Sequence, residues 1–374
     1  MTAGRHSQAI ATDGCLVLVP GLLSGAREAN TKVSAAICRL LGFAEQIGFP
    51  DNEEPSVESL VAGCLLPAAG ASCAAHLTYL KDFPVTANRD KKAVNVLRAD
   101  PAFQQIDMNN ATLGNPLELD LTQDECDQLQ QTLNNHFADD GLHFESKDPQ
   151  RWYCHFKNMP QVTCTPISAA IGRDVARCRP DGADARQWRS KLAEIEMLLF
   201  EHPVNTARQQ NNKLPVNTLW LWGEGSPDST AGVEKFSVYS DNFYTQSVCE
   251  FSGVECRELP ISSDTSSLTG RPALIVIDKF THAKSSADDH DNSLQWFDEA
   301  ICNQLWNRLK TSDLSEIVIW CGDSRLFRVR ASVKRQLLRR LFYKPQPLAA
   351  FLPENELLTD VSVKTSPHTA RQRN

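Results

Sequence analysis

The densest set of side chains able to handle an anion in this 374-residue chain lies between residues 201 and 217. Glu201-His202-Pro203-Val204-Asn205 is followed by Arg208 and then by Pro215-Val216-Asn217. A histidine, two asparagines and an arginine around one helix-to-strand junction could hold an anionic substrate through charge-assisted hydrogen bonds. The same groups could equally cap a helix and fix a turn, because short polar side chains satisfy the backbone at such junctions.

A second candidate set follows an apolar run at 273–277. Asp278, His282, Asp288, Asp289, His290 and Asp291 offer carboxylate and imidazole ligands where α/β proteins place their sites. Such donors suit a divalent metal, and Asp323, after another apolar run, could join Asp278, His282 and His290. The surrounding string KSSADDHDN also describes a solvated acidic loop. A third set is basic. Between Ser324 and Pro353 there is no acid, while Arg325, Arg328, Arg330, Lys334, Arg335, Arg339, Arg340 and Lys344 are cationic. This stretch is either a docking face for an anionic partner, nucleic acid or an acidic protein, or one side of an amphipathic helix packed through Leu337, Leu338 and Leu341.

Several common chemistries lack their motifs. Gly223-Glu224-Gly225 has no third glycine for a dinucleotide fingerprint, and neither a P-loop nor a Gly-x-Ser-x-Gly elbow occurs. The net charge of −8 argues against a globally basic nucleic-acid coat. Twelve cysteines are scattered without a Cys-x-x-Cys, which reads as reduced, mostly buried thiols in a cytoplasmic protein. The one apolar run near the N-terminus, Cys15 to Leu23, is too short to span a membrane and reads as a buried strand.

Elements that would position these groups alternate between strand and helix, an α/β pattern. Helices are expected over 33–48, 56–66 and 184–201, the last with Trp188, Leu192, Ile195 and Leu199 on one face and stopped at Pro203. Thr122 with Glu125 three positions on predicts a capping box at the head of another helix. Strands are expected at 216–222, 273–277 and 317–320. The strand–helix–strand order from 273 to 320 predicts a parallel pair with a right-handed crossover.

The string EIEMLLFEHPVNTARQQNNKLPVNTLWLWGEG, residues 194–225, resembles the hallmark of a bacterial regulatory-protein family labelled cofactor-independent phosphoglycerate mutase. It is also similar to the archaeal-type 2,3-bisphosphoglycerate-independent mutases. Leu97-Arg98-Ala99-Asp100, Thr122 to Phe137 and Thr165 to Gly182 resemble further family segments in the same order. The resemblance implies an alkaline-phosphatase-superfamily fold, a mostly parallel sheet flanked by helices with a smaller inserted α/β subdomain. Its expected divisions are 1–90 with 215–350 for the core, 91–214 for the insert, and a disordered tail at 359–374.

Active members of that superfamily use two divalent metals held by Asp and His, and a serine that accepts the phosphoryl group. Where the resemblance expects an Asp at the end of the first strand, this chain has Pro20. Where it expects an Asp-His pair, the chain has Asp323-Ser324, and Trp222 stands where the archaeal type tends to carry Arg. The resemblance therefore implies a degenerate binding or regulatory protein that needs no cofactor, with Arg98, His202, Asn205, Arg208 and Asn217 as its surviving anion-side residues. The alternative is an active phosphotransferase or phosphatase with Mn, Zn or Mg at a rearranged Asp278, His282, His290 and Asp323 site. In some genomes genes of this family sit beside a single-strand exonuclease gene, which points to a DNA-repair partner.

Overall fold

A computed structural model describes residues 13–23, 35–49, 55–66, 73–84, 95–107, 110–227, 236–261, 268–270, 272–281, 287–331 and 348–352. His282, Lys334, Arg335, Arg339, Arg340, Lys344 and the tail from 359 lie outside these residues.

The apolar run at the N-terminus forms strand β1 (Cys15–Leu18), buried throughout. Helix α1 (Ala35–Phe43) and strand β2 (Glu45–Gly48) follow. The helix expected over 33–48 thus breaks at Ala44, and its last third becomes a largely exposed edge strand. A tertiary contact starts α1, since the buried Asp298 carboxylate accepts the Ala36 and Ile37 amides at 3.0 and 2.7 Å. Helix α2 (Val57–Leu65) begins at a reciprocal Ser56–Ser59 capping box. Helix α3 (Ala74–Asp82) comes next.

The chain then builds a small antiparallel sheet. Strand β3 (Val96–Ala102) is wholly buried, and a hairpin of β4 (Gln104–Ile106) and β5 (Ala111–Leu113) leads to helix α4 (Gln123–His136). Thr122 and Glu125 cap α4 reciprocally, as their spacing predicts. Strands β6 (His143–Asp148) and β7 (Arg151–His155), the short helix α5 (Ile167–Ala170), α6 (Ala185–Phe200), α7 (Pro203–Gln210) and β8 (Thr218–Trp222) complete it. The sheet order is β6-β7-β3-β8. Because β8 pairs antiparallel with β3, Arg98 opposite Trp222 and Ala102 opposite Thr218, residues 218–222 sit in the small sheet. Pro203 does not simply stop α6, which ends at Phe200; it takes the first position of α7, where a missing N–H costs nothing.

Strand β9 (Ser237–Ser240), helix α8 (Phe243–Ser252) and the two-residue β10 (Cys256–Arg257) return the chain to the main sheet. Strand β11 (Ala273–Val276) and helices α9 (Ala287–Trp296) and α10 (Asn303–Lys310), joined by a π-helical turn over Phe297–Cys302, come next. Strands β12 (Glu316–Trp320) and β13 (Arg325–Arg330) close it. The seven-stranded order is β10-β9-β11-β1-β12-β13-β2, with β10 to β12 parallel and β13 antiparallel to both its neighbours. The fold is mixed α/β with a mostly parallel central sheet flanked by helices. Strands β11 and β12 are parallel but not adjacent: β1 lies between them and bonds to both.

Alternation along the strands gives the sheet two apolar faces. Leu16, Leu18, Leu274, Val276, Val318 and Trp320 pack toward α2, α3, α8 and the small sheet. Val17, Ile275, Ile317 and Ile319 pack toward α1, the π turn and α10. No helix among the described residues is long and apolar enough to cross a membrane.

Candidate functional site

The first candidate is the corner between α6, α7 and β8. His202 caps α7 with its Nδ1, which accepts the Val204 amide at 3.2 Å. Its Nε2 lies 2.9 Å from Thr132 Oγ1 on α4. An Nδ1 that accepts leaves the proton on Nε2, so the ring is a neutral donor to α4, and burial pushes its pKa below the usual histidine value. Asn205 uses both ends of its amide: Oδ1 accepts the Val216 amide at 2.9 Å, and Nδ2 donates to the Leu199 and Val216 carbonyls at 2.7 Å each.

Arg208, 1% exposed, donates through Nε to the Leu214 carbonyl at 2.7 Å and through Nη2 to the Leu119 carbonyl. Its Nη1 pairs with Glu125 at 2.8 Å. Glu125 is the capping residue of α4, so one guanidinium ties together the head of α4, the residues before it and the loop before β8. Partial burial raises the Glu125 pKa, but hydrogen bonds from the Thr122 amide and Arg208 outweigh it and hold the carboxyl below the usual range. Asn217 clasps one residue from both sides, accepting the Gln104 amide at 2.7 Å and donating to its carbonyl at 3.1 Å.

Arg98 is not part of this corner. It sits opposite Trp222, donates to Asp100 Oδ1 through Nε at 3.1 Å and Nη2 at 2.6 Å, and lies between the Tyr153 and Trp222 rings. Asp100 in turn accepts the Trp152 amide and Trp222 Nε1. The structure thus brings His202, Asn205 and Arg208 together and spends their polar groups on backbone and on α4. Of the two uses open in the sequence, the corner lock is the one these hydrogen bonds serve, with the donors turned into the fold.

The second candidate is the carboxyl-terminal edge of the main sheet, between the outgoing turns of β9, β11, β1 and β12. After β9, Asp241 Oδ1 accepts the Asp278 amide at 2.7 Å. Asn242, the cap of α8, reaches Asp278 Oδ2 at 3.3 Å, and Thr281 Oγ1 donates to Asp278 Oδ1 at 2.8 Å. Asn115, from the loop after β5, donates to the Thr281 carbonyl at 3.0 Å and bridges the two sheets. After β1, Gly21 adopts φ +80° with its missing Cβ 2.8 Å from the Phe280 carbonyl oxygen, so no side chain fits there. Beside Asp278's charge, Glu58 is buried on α2 and accepts the Ser168 hydroxyl at 2.5 Å. Burial raises its pKa, and the Asp278 charge adds a smaller push in the same direction.

Among the described residues, the expected ligands Asp278, His290 and Asp323 do not converge here. Asp323 is claimed by Arg325, whose amide and guanidinium bond both carboxylate oxygens. His290 is buried edge-on against Phe280. Pro20 offers no donor, and Asp278 is held by Asn242 and Thr281. Among the described residues no three His, Cys, Asp or Glu side chains are grouped to hold a metal ion. These donors therefore do not fit a two-metal centre. The basic stretch is similarly engaged where it is described: Arg325 pairs with Asp323, and Arg328 and Arg330 approach the buried Glu316 at 3.7 and 3.4 Å. These three arginines thus make ion pairs at the edge of the sheet.

Sequence reasoning missed Asn115, Asp241, Asn242 and Thr281 at this edge, and Glu58 with Ser168. The local signal for Asn242 was a capping residue after the apolar strand at 237–240; the others meet only through tertiary packing.

No family model matches the chain. It is 31% identical over 118 residues to a 2,3-bisphosphoglycerate-independent phosphoglycerate mutase of Methanosarcina mazei, covering 30% of this chain and 29% of that one. With the enzyme of the same description from Methanothrix thermoacetophila it shares 36% over 68 residues, 18% of this chain and 17% of that one. The matched stretches thus span less than a third of these relatives. Among solved structures, the cofactor-independent phosphoglycerate mutase of Thermoplasma acidophilum covers 85% of this chain and 89% of its own length, at TM-score 0.36 and 13% identity. The PH0037 protein of Pyrococcus horikoshii covers 86% and 88%, at TM-score 0.40 and 11% identity. In sequence, the chain is similar over part of its length to 2,3-bisphosphoglycerate-independent phosphoglycerate mutases.

Proposed function

We propose that this protein is a mutase-like member of the alkaline phosphatase superfamily that has lost metal-dependent phosphoryl transfer and acts in the cytoplasm by binding or regulation. One observation carries this reading: the Asp323 carboxylate after β12 is neutralised by Arg325, and Pro20, after the neighbouring strand β1, lies against Gly322, the residue before Asp323. A carboxylate committed to a guanidinium is a poor ligand, and proline is none. Transferring a phosphoryl group by the superfamily's route needs two cations to neutralise the oxygens in flight, so this donor set does not support that route.

On this reading, docking of an anionic partner falls to the Lys334, Arg335, Arg339 and Arg340 segment, since Arg325, Arg328 and Arg330 have carboxylate partners. The test is elemental analysis of the purified protein together with mutase and phosphatase assays after addition of Mn²⁺. Substoichiometric metal and no turnover are expected. Stoichiometric Mn, Zn or Mg with turnover abolished by Asp323→Ala would overturn the proposal in favour of an active phosphotransferase.

A further inference from the structure

A surface helix normally turns its apolar residues toward the core and its polar ones toward water. Helix α6 obeys only the first half of that rule. Trp188, Ile195 and Leu199 are buried, with the helix packed against β8. Both flanks are engaged as well. On one side Lys191 pairs with Asp140 at 2.8 Å, and His136 at the end of α4 meets Glu194 at 2.6 Å. On the other, Glu196 accepts the Thr218 hydroxyl at 2.9 Å and the Gln104 side-chain amide at 2.8 Å. Between the flanks runs an exposed stripe of Ser190, Ala193, Met197 and Phe200, spaced so that all four share one helical face. Met197 is 73% and Phe200 77% exposed. Ile106, 83% exposed, lies two residues beyond Gln104 on β4, the strand that reaches Glu196. Single apolar residues scattered over a surface need no account, but a helical stripe ending in two large ones marks an interaction surface.

The order of residues along the stripe identifies its occupant. Small residues fill its amino-terminal half and large ones its carboxyl-terminal half. Charge has the same polarity: Arg186 and Arg189 are exposed on the first two turns, and Glu201 is exposed at the far end. Turned end for end by a two-fold axis at the level of Ile195, the stripe complements itself in both size and sign. Met197 then lies opposite Ala193 of the partner subunit, and Phe200 opposite Ser190 of the partner subunit. Glu201 lies opposite Arg189 of the partner subunit.

We propose that α6 is a self-association surface, on which two copies of this chain pair through antiparallel helices. A parallel pair would set large residues against large and Glu201 beside a second Glu201, so the two-fold arrangement is the one the sequence favours. The 16 residues of α6 span roughly 24 Å. A single helical seam of that length is smaller than a standard interface, so the dimer is a weak one that dissociates in the micromolar range.

The test is sedimentation velocity of the full-length protein over a concentration series from low to high micromolar. A monomer–dimer equilibrium is expected. Met197→Glu should raise its dissociation constant about tenfold or more, because a symmetric interface buries each anchor twice. Glu201→Arg should raise it roughly fivefold by bringing like charges together, and adding Arg189→Glu should restore it by exchanging the pair. A chain that stays monomeric at the highest concentration overturns the proposal. So does a dimer that Met197→Glu leaves intact, since its contact then lies on another face. A Glu201→Arg loss that Arg189→Glu does not recover overturns the antiparallel pairing. The substituted side chains are exposed, so the variants should fold, which circular dichroism checks. The concentration series on the unaltered protein is decisive against the proposal even without them.

Discussion

The corner around His202, Asn205 and Arg208 and the carboxyl-terminal edge around Asp278 are both rich in polar side chains, yet they are built differently. At the corner each buried side chain bonds to backbone within or beside its own segment, and His202 and Arg208 also reach Thr132, Leu119 and Glu125 on and before α4. At the edge, carboxylates from separate turns hold one another's loops through single bonds, with Asp241 exposed and Asp278 and Asn242 half-buried. A polar cluster that is fully satisfied and dry is a structural device, because leaving any of its groups unpaired is expensive. A cluster that is half-wet and held by isolated bonds tolerates change. The same residue types therefore carry different meanings according to burial.

The largest effect that would break this comparison is at Arg208. Removing a buried guanidinium from Glu125 and two carbonyls should cost about 3–5 kcal/mol, read as a lower midpoint in urea unfolding for Arg208→Met. A loss well under 1 kcal/mol would mean the corner is not a lock. Asn205→Ala should follow at about 2–3 kcal/mol, the cost of leaving buried backbone groups at Leu199 and Val216 unpaired. Arg325→Ala, at the partly exposed Asp323 pair, should cost about 1 kcal/mol or less. Elemental analysis of that variant should still show no bound metal, because the neighbouring positions remain Pro20 and Ser324; stoichiometric uptake would show that Arg325 alone occludes a competent site.

The smallest effects have opposite signs at the two regions and sharpen the contrast. Glu125 has a folded pKa held down, so its contribution is present above the ordinary glutamate value of about 4.3 and is lost as pH falls through the lower folded value. Glu58 has a folded pKa raised by burial. Its neutral form is favoured in the fold, so stability associated with it is present at low pH and declines as pH rises through the raised value. Glu58→Gln should therefore flatten the decline toward neutral pH in a series of denaturation curves, while Glu125→Gln should flatten the fall on the acid side. If both substitutions moved the same limb, the two carboxyls would not differ in environment as described.

Much of the framework was legible in the chain itself. The apolar runs at Cys15, Ala273 and Ile317 had to be buried strands, the Thr122–Glu125 spacing had to cap a helix, and the Trp188–Leu199 face had to pack inward. Each depends on periodicity or on hydrogen bonds within four residues, which a linear sequence contains. The break at Ala44, the insertion of β1 between β11 and β12, and the assignment of β8 to the small sheet were not legible. Nothing local distinguishes one apolar strand's neighbours from another's, and pairing is settled by the packing of both faces together. The residues from His202 to Asn217 show the same division at a single site. Sequence determined that a histidine, two asparagines and an arginine would meet at a helix-to-strand junction, because proline and the strand fix that turn. Only the tertiary structure decided that their donors point inward, since α4 and the backbone before β8 cover them and a buried donor must take the acceptor within reach.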